Sequence, residues 1–97
     1  MSRYGSCLSL HLPAMDPAHA TLEWSRFSRF SYARVLAWTC AEHRVTSYEL
    51  CSAAGLAFLR RTVAAKGWST PIVSYSDAWP INEGRAMWAE LVAGRLI

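Results

Sequence analysis

Thr46, Tyr48 and Leu50 alternate with Val45, Ser47, Glu49 and Cys51, and after Ser52-Ala53-Ala54-Gly55 an apolar run extends from Leu56 to Val63. A period of two places alternate side chains on opposite sides of an extended chain. Glycine in the link takes the positive φ that a sharp reversal requires. Two such runs around a four-residue, Gly-containing link predict a β-hairpin.

The same stretch has a helical alternative. Glu49 to Lys66 is rich in Ala, Leu and Arg, Gly67 would make a natural C′ residue, and Tyr48, Cys51, Ala54, Phe58 and Leu59 fall near one helical face. A second helical version is an all-α helix-turn-helix over residues 47–64, turning at Gly55, with a recognition helix starting at Phe58 to Val63. The helix-turn-helix gives Leu50, Ala54 and Leu56 tolerable apolar positions but puts Arg61 where a buried aliphatic side chain is wanted, and one continuous helix leaves Leu50, Leu56 and Val63 off the apolar stripe. Gly55 in mid-helix costs about 1 kcal/mol relative to Ala. The hairpin is the better reading.

The remaining elements follow from the same patterns. Leu8, Leu10 and Leu12 alternate with Cys7, Ser9 and His11 and predict a strand that Pro13 ends. Asp16-Pro17 reads as a cap followed by a first-turn proline, opening a short helix from Pro17 to about Trp24. Val35 to Cys40 is a β-branched and aromatic run with Leu36, Trp38 and Cys40 on one side. Ile72, Val73 and Tyr75 make a short strand, closed by Pro80. Asn82 caps a final helix from Glu83 to about Ala93, with Gly94 past its end and Met87, Trp88, Leu91 and Val92 as its apolar stripe. The expected architecture is α+β: a small antiparallel sheet of three or four strands with a C-terminal amphipathic helix packed on one face. Residues 1–33 form an N-terminal segment and residues 34–97 a single small domain.

Composition narrows the function classes. A chain of 97 residues with 53% hydrophobic and 18% charged residues is too apolar for intrinsic disorder. No apolar run reaches the length of a membrane span. Ala18-His19-Ala20 resembles a leader cleavage site, but Ser9, His11, Pro13 and Asp16 interrupt the apolar stretch before it. The three cysteines, Cys7, Cys40 and Cys51, have no disulfide-framework spacing. A cytoplasmic protein with no membrane partner is expected. Zinc could draw on Cys7, His11, Cys40 and His43, with Cys51 in reserve, but the spacing is poor and no metal or other cofactor is expected. Hydrolase elbows, zincin helices, phosphate loops and dinucleotide fingerprints are all missing, and the acids are scattered. No catalytic residues and no small-molecule substrate are therefore assigned.

Binding is better supported. The net charge is +3 and nine of the ten basic residues are arginine, which an Ala- and Arg-rich genome would also produce. Ser-Arg-Phe occurs twice in tandem at 25–27 and 28–30, followed by Tyr32 and Arg34. Aromatic faces stack on bases while guanidinium groups hold phosphates, so Arg26, Phe27, Arg29, Phe30, Arg34, Arg60 and Arg61 are the candidate nucleic-acid-binding residues. The opposing reading makes the phenylalanines core and the arginines their solvated edge. Trp79 and Trp88 are candidate anchors for a protein partner or a homodimer.

Trp38-Thr39-Cys40, Tyr48-Glu49-Leu50-Cys51, Gly55-Leu56-Ala57-Phe58-Leu59-Arg60-Arg61-Thr62 and Met87-Trp88-Ala89-Glu90-Leu91-Val92-Ala93-Gly94-Arg95 resemble small actinobacterial proteins. These are encoded by short reading frames of Streptomyces chromosomes and conjugative plasmids, some near transfer and spread functions. The likeness covers residues 34–97, brings no catalytic residues, and implies a plasmid accessory role. The leading expectation is a non-enzymatic accessory or regulatory protein that binds nucleic acid, with a protein-interaction module as the alternative.

Overall fold

The computed structural model describes residues 10–42, 44–67 and 69–97, and the hairpin stands at its centre. The strands are β1 (Arg34–Trp38), β2 (Thr46–Ala53), β3 (Leu56–Val63), β4 (Ile72–Tyr75) and β5 (Trp79–Pro80), followed by helix α1 (Ile81–Val92). Sheet order is β1-β2-β3-β4, all pairs antiparallel, with β5 also on β3, beyond the end of β4. The α+β architecture is as expected, and the helix-turn-helix is not formed.

The hairpin link is shorter than its sequence suggests. Ser52 and Ala53 stay in the ladder opposite Ala57 and Leu56, leaving Ala54 and Gly55 as a two-residue turn. Both take positive φ, 51° and 77°. Such turns match the twist of the strands they join, which is why they dominate tight hairpins. Ala54 pays a steric penalty there that glycine or asparagine would largely avoid.

β1 departs from simple alternation. Its register slips between Val35 and Ala37, a bulge that turns both Leu36 and Ala37 to the core. Trp38 pairs with Glu49, falls on the other side and is 56% exposed. The expectation of Leu36, Trp38 and Cys40 on one side is thereby corrected: an extra residue resets the alternation beyond it.

Leu50, Leu59, Ala57 and Tyr48 form the sheet side of the core; Leu91 of α1 and Leu96 cover them. Helix and sheet approach closely at Gly84, where an added Cβ would overlap that of Ala57. Pro80 occupies the cap position with no side-chain cap hydrogen bond, and α1 begins directly at Ile81. Asn82 is inside the first turn and does not cap, because the helix grows straight out of β5 and Ile81 is drawn into the core. At the other end Arg95 N–H donates to Glu90 O (2.9 Å) and Gly94 N–H to Leu91 O (3.0 Å), with Gly94 at φ 80°. This pair of bonds is the Schellman closure.

The expected helix over residues 17–24 is corrected. Asp16 Oδ1 accepts from Ala18 N–H (2.8 Å) and Asp16 O from His19 N–H (3.0 Å), a single turn and no more. The chain then runs extended: Ala20 and Leu22 bond to Arg95, Ile97 and back, in parallel with the tail. The tail supplies a ladder, so the backbone is satisfied without a helix. Of the expected strand around Leu8–Leu12, residues 7–9 lie outside the described residues, and Leu10 bridges to Thr39. Residues 10–33 are thus built into the same fold. They run along the helix side, round the β4 edge at Ser25, and return to β1 across the opposite face. We call residues 26–33 the strap. No helix among the described residues is long and apolar enough to cross a membrane.

Candidate nucleic-acid interface

The tandem triplet has a structural meaning. In the first copy Ser25 Oγ accepts from Phe27 N–H (3.1 Å), and in the second Ser28 Oγ accepts from Phe30 N–H (3.2 Å) while donating to Phe30 O (2.6 Å). Each Ser-Arg-Phe is a serine turn, closed two residues ahead by its own hydroxyl. The middle residue of each turn is an arginine, and both Arg26 and Arg29 are exposed.

The two phenylalanines separate. Phe30 is half-buried and stacks on Phe58 with ring centroids 5.5 Å apart and planes 21° from parallel. Phe58 also meets Tyr75 at 6.2 Å. The Arg29 guanidinium sits 5.5 Å from the Phe30 ring centroid. Phe27, by contrast, is 85% exposed, and Tyr32 further along the strap is 84% exposed. Between the strap and residues 75–79 is a groove of about 420 Å³, with Phe58 and Tyr75 against Phe27, Arg29 and Phe30, and Asp77 on its rim.

The structure does not gather all the candidate arginines. Arg60 and Arg61 are consecutive on β3 and so point to opposite faces. Arg60 lies on the strap face and donates from Nε to Glu49 Oε1 at 2.6 Å, straight across the hairpin. That hydrogen bond holds its proton more tightly than usual. Arg61 lies on the helix side, its guanidinium 4.4 Å over the Trp24 ring, which itself packs near Tyr48. Arg34 is exposed and pairs with Ser52, placing it on the helix side as well. Among the described residues the ion pairs are Arg60–Glu49 and Arg95–Glu90, so Arg26 and Arg29 have no carboxylate partner. Trp79 and Trp88 are half-buried and pack against the core.

Burial pushes the Cys51 thiol up, an effect that the neighbouring Arg60 charge only partly offsets. Burial likewise raises the Tyr48 hydroxyl against the pull of Arg61. Among the described residues no group of three or more His, Cys, Asp or Glu could hold a metal ion; Cys7 and His43, two of the zinc candidates, lie outside those residues. Phe58, Tyr75 and Asp77 were not marked by the sequence. The β3–β4 pairing, the Ser25–Tyr75 bridge and the Phe30–Phe58 stack bring them beside the strap, although a polar Ser76-Asp77 pair interrupting a strand pattern is a local hint. No family model, curated protein or solved structure matches this chain.

Proposed function

We propose that this protein acts by binding single-stranded nucleic acid on its strap face, without catalysis. The observation that carries the reading is the pair of serine turns, which present two unpaired arginines beside two almost fully exposed aromatic rings. Arg26 and Arg29 supply phosphate contacts; Phe27 and Tyr32 supply stacking surfaces that accept any base. Rings this exposed contribute little to folding and are available to a ligand. The likeness of residues 34–97 to small actinobacterial proteins encoded near transfer functions would make it an accessory of plasmid transfer.

Titration of a fluorescent oligonucleotide by anisotropy tests the reading. Affinity should fall with salt, and Arg26→Ala with Arg29→Ala should flatten that dependence by about 0.7 logarithmic units per lost phosphate contact. Phe27→Ala or Tyr32→Ala should cost about 1–3 kcal/mol of binding at constant slope. No retention of DNA or RNA oligonucleotides at low salt would reject it.

A further inference from the structure

We propose, on the basis of that nucleic-acid reading, that the groove between the strap and residues 75–79 is a subsite for one unstacked guanine base. Its volume, about 420 Å³, is in the range of small-ligand sites, about 300–1,000 Å³. Phe30, Phe58 and Tyr75 make an aromatic wall, which favours a flat ring over an aliphatic chain. Arg29 lines the same groove and has no carboxylate partner, so the phosphate of the same nucleotide has a cation within the site.

Asp77 selects the base. Its side chain is exposed at the groove and makes no hydrogen bond or ion pair to the rest of the described protein. The Ser76 hydroxyl is already engaged, accepting from Leu59 N–H (2.8 Å) and donating to Asp77 O (2.9 Å). An ionised carboxylate only accepts, through two oxygens side by side. Guanine alone among the bases offers two adjacent donors on its pairing edge, the ring N1–H and the N2 amino group. Adenine and cytosine present one amino group beside an acceptor, and thymine or uracil one N–H between two acceptors, which the carboxylate repels. That edge is closed in a duplex, so the subsite works only on an unpaired strand.

The test uses the full chain and short oligothymidylates carrying one central guanine, inosine, adenine or cytosine. Guanine should tighten binding on the order of tenfold, the effect of a hydrogen-bonded pair to a charged group. Inosine, which lacks the N2 amino group, should lose most of that gain. Asp77→Asn should abolish the guanine preference and leave affinity for plain oligothymidylate unchanged or slightly higher. Equal affinity for all four, or a guanine preference that survives Asp77→Asn, would overturn the subsite and leave the strap reading standing. Failure to bind any oligonucleotide at low salt would overturn both.

Discussion

Phe58 and Leu59 are consecutive on β3, both are buried, and they face different worlds. Leu59 is sealed by a helix, the C-terminal tail and the extended chain that carries Leu22 and Trp24. Phe58 is met, among the described residues, by the Phe30 and Tyr75 rings, Phe30 belonging to a strap closed by serine turns. One face has cooperative packing from several elements; the other has a local cover over an aromatic floor. The contrast teaches where stability and access are separated in this small chain. The helix face can tolerate little change, whereas the strap face, held by fewer long-range contacts, can tolerate more.

The contrast is broken most directly by truncation on each side. Leu59→Ala should cost about 2–5 kcal/mol, because it opens a cavity among fixed neighbours. Phe30→Ala should cost about 1 kcal/mol, a stacked pair at a half-exposed site, and equilibrium urea unfolding measures both. Equal losses would show that the strap is as structural as the helix. Next in size, Gly84→Ala should cost about 1–3 kcal/mol by pressing a methyl into Ala57. Ala57→Gly in the same chain should recover part of that loss, the signature of a direct contact in a double-mutant cycle.

Alkali probes the two faces through one group on each. Cys51 lies on the strap face and Tyr48 on the helix face, and burial raises both above their ordinary values of 9.0 and 10.0. A group that holds its proton more tightly when folded stabilises the fold below its ordinary value and loses that contribution as pH rises through the raised one. The urea midpoint from these two groups should therefore be level below about pH 9 and decline above it, first through Cys51 and then through Tyr48. Cys51→Ala should remove the first part of the decline. The smallest effect concerns the turn that joins the faces: Ala54→Asn should raise stability by about 0.5 kcal/mol, since asparagine tolerates a positive φ better than alanine.

Period-two alternation across Thr46–Val63 was enough to read the hairpin, and the Met87–Leu91 stripe was enough to read a terminal helix against it. Three features were not legible. Asp16-Pro17 carries a helix-start signal, yet the tail offers that chain a ladder, a long-range partner no local pattern reports. The β1 bulge moves Trp38 away from Leu36 by one inserted residue, which a run of apolar side chains conceals. The arginine cluster looked continuous because Arg60 and Arg61 are neighbours, and strand geometry sends neighbours apart. Part of the site was legible: Ser-Arg-Phe twice over marked Arg26 and Arg29, whereas the groove depends on the long-range Ser25–Tyr75 bridge that seats the strap beside β4.

The corner where β5 becomes α1 leaves no loop between them, and Gly84 one turn later rests against the sheet without an intervening side chain. That corner is a fixed jamb. The wall of the groove that contains Trp79 is therefore anchored to sheet and helix together, whereas the facing wall hangs on the serine turns of the strap.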